Sequence, residues 1–264
     1  MTFKILHLNI ELSKHNDAVV KLLEDKKPDI VCFIESMEKD VEHFASHFGY
    51  NYVHSPRFIL DEGNKKDKEG VAILSKYKML DIQKHTYGDG IPGELPIKDL
   101  NDSKVDDPRP AGRFFDNYTF LTSLIDLGDK KITVSTTHFP VTDYNGRGMA
   151  DHELKDIKNI DDLEHSELFI EKIISFIRDI KGPTIFTADL NSPRGKYFYD
   201  TIAHELVDQV PASLKSSIDP VLHRAKNLKL VVDAFMTTPD FNVESFEIIE
   251  GVSDHKAYFV TLNL

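Results

Sequence analysis

What most constrains this chain is the return, along its whole length, of short apolar runs of strand type: Phe3–Leu8, Ile30–Ile34, Val71–Leu74, Thr119–Ile125, Ile132–Thr137, Thr184–Ala188, Leu228–Phe235 and Tyr258–Leu262. Runs of this length, rich in β-branched and aromatic residues, read as strands. Helical patterns lie between some of them. Asn16–Lys26 carries Val19, Leu22 and Leu23 on one face and is stopped by Pro28. Glu167–Ile180 carries Phe169, Ile170, Ile173, Ile174, Ile177 and Ile180 ahead of Gly182-Pro183, a helix stop of the usual kind. The expected class is mixed α/β.

Three polar stretches interrupt the pattern. Asp61–Gly70 reads as a long hairpin tip, Asp151–His165 as a solvated acidic segment, and Gly88–Arg113 holds too many Gly and Pro for a long regular element. No linker flanks them and no internal repeat is present, so residues 1–264 are expected to form a single domain. Gly88-Asp-Gly90-Ile-Pro-Gly93 has the spacing of a dinucleotide-binding loop, but Pro92 and Pro96 forbid the helix that such a loop must open. His43 and His47 stand at i, i+4 with no Glu or Cys pattern to complete a zinc site, and read as surface or half-buried histidines.

Composition narrows the partners. With 41% apolar residues and 17 Phe, the chain can build an ordinary globular core. Its 32 basic and 44 acidic residues leave a net charge of −12, which argues against a broad basic face gripping duplex phosphates but permits a local basic pocket. Cys32, the single cysteine, lies inside an apolar run and reads as a small buried hydrophobe. The first residues are broken by His7, Asn9 and Glu11, unlike a secretory signal, and nowhere do about 18 uncharged apolar residues offer a membrane span. A cytoplasmic monomer with no obligate protein partner is expected.

The chemistry lies just past the strands. Leu8 is succeeded by Asn9 and then Glu11, Ile34 by Glu35, Thr137 by His138, Ala188 by Asp189 and then Asn191, Val232 by Asp233, and a Gly251-Val-Ser turn by Asp254-His255. Any one of these is most simply a turn or cap residue. Together they place carboxylates, amides and two histidines at strand ends, where an α/β sheet lets distant positions converge on one crevice. Such a set, oxygen-rich and without thiolate, suits Mg²⁺ or Mn²⁺ better than zinc, and Mg²⁺ commonly uses only one or two carboxylates.

The order Leu8-Asn9-Ile-Glu11, Ile34-Glu35, Thr137-His138-Phe, Ala188-Asp189-Leu-Asn191-Ser-Pro, Val232-Asp233-Ala-Phe and Gly251-Val-Ser-Asp254-His255 resembles the endonuclease/exonuclease/phosphatase superfamily, over residues 3–262. The resemblance implies a four-layer α/β sandwich of the DNase I-like kind: two mixed sheets face to face with helices outside. It also implies a metal-dependent hydrolase of phosphoesters that uses in-line attack of water. Carried over by position, Glu35 corresponds to the main metal ligand, Asn9 to a residue that helps orient metal or phosphate, Asp254 to a further acidic group near the metal, and Glu11 stands where some members place an acidic metal ligand. Asp189 and Asn191 correspond to residues that orient water and phosphate, His255 to the histidine on the scissile phosphate, and Asp233 to its carboxylate partner. His138 corresponds to a histidine found in some branches.

The substrate is left open as a small molecule, a lipid head group or a nucleic acid. A nuclease is the alternative reading, and a catalytically silent binding module of the same fold a further one. Gly88–Arg113, with Arg109 and Arg113, the segment Asp143–Arg147, and Arg224 are the substrate-side candidates.

Overall fold

The computed structural model describes residues 1–61, 66–88, 94–99, 117–141, 160–225 and 228–264. Most of Gly88–Arg113, all of Asp143–Arg147 and the first part of Asp151–His165 lie outside these. In chain order the elements are β1 (Thr2–Asn9), α1 (Asn16–Lys26), β2 (Ile30–Met37), α2 (Glu38–Phe48), β3 (Asn51–Asp61), β4 (Lys66–Ser75), β5 (Lys78–Thr86), β6 (Ile97–Asp99), β7 (Thr119–Asp126), β8 (Lys131–His138), α3 (Ile160–Asp179), β9 (Thr184–Asp189), α4 (Tyr197–Ala203), β10 (Val207–Asp208), β11 (Asp233–Thr237), β12 (Asn242–Ile249) and β13 (Ala257–Asn263). Two mixed sheets result. One runs β12-β13-β1-β2-β4-β3-β6 and the other β10-β11-β9-β8-β7-β5.

Side-chain alternation along the central strands explains the layering. In β1, Phe3 and Ile5 join Ile30, Cys32, Ile73, Val134, Ile185 and Phe235 in a core between the sheets. Leu6 and Leu8 point the other way, into a core with Val19, Leu22 and Leu23 of α1 and Val41 and Phe44 of α2. On the far side Phe120, Phe186 and Met236 meet Phe169 and Ile173 of α3 and Phe198 of α4. A strand buried on both faces carries an apolar residue at nearly every position, and that is why these runs lack polar alternation. The four layers are helices, sheet, sheet, helices.

Two expectations change. Leu228–Phe235 is a strand only from Asp233 onward. Residues 230–232 instead carry backbone bonds to a loop, Ser217 N to Leu230 O at 2.9 Å and Leu190 N to Val232 O at 3.0 Å. The hairpin tip is shorter than Asp61–Gly70 because β4 begins at Lys66. Gly70 lies inside β4, where a Cβ would overlap the Ser55 carbonyl oxygen of β3. Glycine permits that approach, and β3 shifts register between Pro56 and Phe58, which brings Arg57 against Glu69.

Candidate active site

The site lies where the two sheets' strand ends meet. In the second sheet, β11 and β8 flank β9 with Asp233 paired to Asp189 and His138 paired to Asp189, so three polar side chains stand level on adjacent strands. From the first sheet, β1 ends at Asn9, beside Ile34 of β2. Glu35 comes next, at a register shift between β2 and β4, with φ +51°. A bulge of this kind re-aims a side chain. Glu11, Leu12 and Asn191 also have left-handed backbones. Non-glycine residues pay strain for that conformation, and these four cluster at one rim.

Glu35, His138 and Asp189 form one group. Glu35 Oε1 and Asp189 Oδ2 each lie 3.7 Å from His138 Nε2, and one ligand atom from each residue falls within 4.8 Å of the others. Asn191 Nδ2 donates to the Phe139 carbonyl at 2.9 Å and faces His138 Nε2 at 3.0 Å. The amide therefore presents N–H to the ring, and the neutral ring presents a lone pair. Burial pushes the Glu35 carboxyl up; Arg57 opposes this, while Asp254 and Asp189 add to it. Among the described residues its carboxylate makes no hydrogen bond. Two carboxylates and an imidazole nitrogen whose ligand atoms fall within 4.8 Å of one another fit a divalent cation, with the Asn191 and Asn9 side-chain N–H groups beside the ring nitrogen and the Asp189 oxygen.

The second group is braced. Asp189 is fully buried, accepting from Asn9 Nδ2 at 3.1 Å and the Asn191 amide at 2.9 Å. Burial, offset in part by His255, pushes its carboxyl up to about 6. His255 Nδ1 donates to Asp233 Oδ2 at 2.7 Å, and its Nε2 stands 3.8 Å from Asp189 Oδ2. Burial opposes charge on His255, but Asp233 and Asp189 outweigh it and hold the ring well above its ordinary value. Burial likewise raises Asp233, and His255 and His7 reverse this, leaving its carboxyl well below the usual carboxylate range.

Not every candidate converges. The Glu11 carboxylate turns to Lys14 and to His15 Nε2, the latter at 3.0 Å, and only its backbone meets the site, through Asn9 Oδ1 at 3.1 Å. That bond also occupies the Asn9 oxygen. Asp254 is half-buried, with its carbonyl accepting from the Asp219 amide at 2.8 Å. Arg224 is exposed, and its neighbour His223 packs edge-on to the His255 ring at 6.3 Å.

Three residues were not anticipated: His7, Arg57 and Glu69. His7 is fully buried, with Nε2 3.2 Å from Asp233 Oδ1. Arg57 meets the buried Glu69 through two hydrogen bonds, of 2.8 and 2.9 Å, and both line a small cavity with His138. His7 could have been noticed as an ionisable residue inside an apolar run; the Arg57–Glu69 pairing had no local signal.

A four-layer sandwich whose strand ends carry this set defines a class of phosphoester hydrolases. The model of the Endonuclease/Exonuclease/phosphatase family matches residues 1–255, and the chain belongs to that family. Solved structures agree in fold. An endonuclease/exonuclease/phosphatase from Bacteroides vulgatus is 17% identical, with a TM-score of 0.68 over 100% of this chain and 99% of that one. Humanized D. rerio TDP2 is 14% identical, with a TM-score of 0.65 over 100% and 99%. A mannosyl-6-phosphatase of Bacteroides thetaiotaomicron is 13% identical, with a TM-score of 0.62 over 99% and 100%. No curated protein shows a significant sequence match. Among the described residues, no helix is long and apolar enough to cross a membrane.

Proposed function

We propose that this chain hydrolyses a compact phosphoester with Mg²⁺ or Mn²⁺, by in-line attack of water. The observation that carries the reading is the convergence of ligand atoms from Glu35, His138 and Asp189 beside a histidine held by Asp233. Glu35, with Asp189 and His138, would hold the cation; Asp254 stands near enough to add to its field. A bound divalent ion supplies charge neutralisation at the phosphate oxygens and orients them.

The remaining work falls to the chain's own groups. Asp189, fixed by two N–H donors, orients the attacking water and accepts its proton. Asn191 holds the rim through Phe139 and His138. His255 points its Nε2–H at a nonbridging oxygen, where charge grows in the transition state, and Asp233 fixes the ring. Charge stabilisation by a preorganised donor in a buried site is the largest lever available to phosphoryl transfer. Each of these positions holds a competent residue, which weighs against a silent binding module.

The net charge of −12 favours a sugar phosphate, a head group or a single-stranded end over a long duplex. The nuclease reading draws on the likeness to D. rerio TDP2, solved with a single-strand DNA product. A panel of sugar phosphates, inositol phosphates, sphingomyelin, single strands, RNA, abasic duplex, plasmid and bis(p-nitrophenyl) phosphate, with Mg²⁺ and with Mn²⁺, tests the proposal. Cleavage of a compact phosphoester supports it; inertness towards all of them with either metal refutes it. If duplex is bound, a protein meeting about 2–4 phosphates shows a slope of log K against log salt near −0.9 per phosphate. A slope steeper than about −6 would install the nuclease reading.

A further inference from the structure

His7 has the parity of Phe3 and Ile5 in β1, so its ring enters the core between the sheets, where it is fully buried beside Tyr258, with ring centroids 5.7 Å apart. Among the described residues, the ring's one hydrogen bond crosses the sandwich to Asp233 Oδ1 on the other sheet. A carboxylate only accepts, so Nε2 carries the proton. The other ring nitrogen, Nδ1, has no hydrogen-bond partner among the described residues. A buried ring nitrogen left unsatisfied is a standing cost that an apolar side chain of similar size would avoid.

What His7 supplies is a donor to the other oxygen of Asp233. Oδ2 of that carboxylate is taken by His255 Nδ1, while Ser217 Oγ and Tyr258 Oη meet only its backbone. A carboxylate bonded through one oxygen can rotate about its last torsion, and the ring it holds rotates with it. Bonded through both oxygens, it cannot. We infer that His7 is a positioning residue: its Nε2–H clamps Asp233 and so fixes the aim of His255. The inference rests on the function proposed above and adds to it a histidine–carboxylate–histidine brace that spans the two sheets.

The test is kcat and KM for bis(p-nitrophenyl) phosphate, or for the best substrate of the panel above, at saturating Mn²⁺ in the full chain. Wild type is compared with His7→Phe, His7→Gln and His7→Asn. The glutamine amide nitrogen reaches the place of Nε2, whereas that of asparagine stops near Nδ1. Supporting partners of this kind are worth about 10–100-fold in activity. His7→Phe and His7→Asn should lose that much kcat with KM nearly constant, and His7→Gln should recover most of it. Wild-type kcat in His7→Phe, or His7→Gln no better than His7→Asn, overturns the inference. If His7→Phe does not fold, the glutamine–asparagine pair decides by the same criterion. His255→Ala, run alongside, separates the two levels: if it too keeps wild-type kcat, the proposed function has failed, and if it alone is inactive, only the role of His7 has.

Discussion

Two halves of the crevice, a few ångströms apart, are built on opposite principles. Every polar group of Asp233 itself is engaged: His255 on one carboxylate oxygen, His7 on the other, Ser217 on the amide and Tyr258 on the carbonyl. Around Glu35 the side chain is about a quarter exposed, the His138 ring nitrogen stands 3.7 Å away, and Asp254 and Asp189 crowd the carboxylate against the opposing pull of Arg57. A carboxylate that accepts good hydrogen bonds is rigid and content; one that lacks them, in a ring of acceptors, has room for a ligand. One half holds geometry, and the other is where the proposed ion would sit.

The contrast breaks most completely at the receiving half. Chelation should abolish hydrolysis, and Mg²⁺ or Mn²⁺ should restore it; full activity after exhaustive chelation would refute a metal-dependent site. Glu35→Gln should raise the metal concentration needed for half activity by about 10–100-fold. It should not lower the melting temperature of the metal-free chain, because it removes a carboxylate that Asp254 and Asp189 crowd.

In the braced half, His255→Ala and Asp189→Asn should each lower kcat by about 10²–10⁴-fold. The double variant should cost little more than either alone, since the groups act as a unit. Additive losses in a steady-state cycle would show that the brace is no unit.

Between the halves, Arg57→Ala should destabilise the fold by about 3–5 kcal/mol in urea titration, by leaving the buried Glu69 charge without its fork. A loss under about 1 kcal/mol would mean the pair behaves as a surface one. The smallest effect lies outside both. Burial holds the buried His54 below its ordinary value, against a bond to the Ser36 carbonyl that would raise it. The unfolded chain then binds the proton first, so stability falls as pH drops below about 6.5 towards the folded value. His54→Gln should flatten that slope in melts from pH 7.5 to 5; an unchanged slope refutes the assignment.

How much of this was legible in the sequence depends on where each signal lies. Asn16–Lys26 coincides with α1, because helical periodicity and Pro28 are local. Glu35, His138, Asp189, Asp233 and His255 stood out because an apolar run gives way abruptly to a polar residue at each. β5 is exposed at most positions and β12 at half, the rest being only partly buried, so no apolar run announced them, and Pro56 and Arg57 interrupt β3. His7 looked like an interruption because its partner is 226 residues away. The Arg57–Glu69 pair depends on a register shift opposite Gly70, which no pairing rule read from sequence supplies.

The pairing of β1 with β13 ties the start of this sequence to its end, Thr2 beside Asn263 and His7 beside Tyr258. Contacts of such separation close late, because their loop entropy is met only after local structure has formed. On the ribosome, Asn9 must wait while the chain grows to His255, on the order of ten to fifty seconds at about 5–20 residues per second. Turnover therefore reports the docking of β13 on β1: a nascent chain stalled before β13 carries every named residue of the site, yet lacks the strand that pairs beside His7.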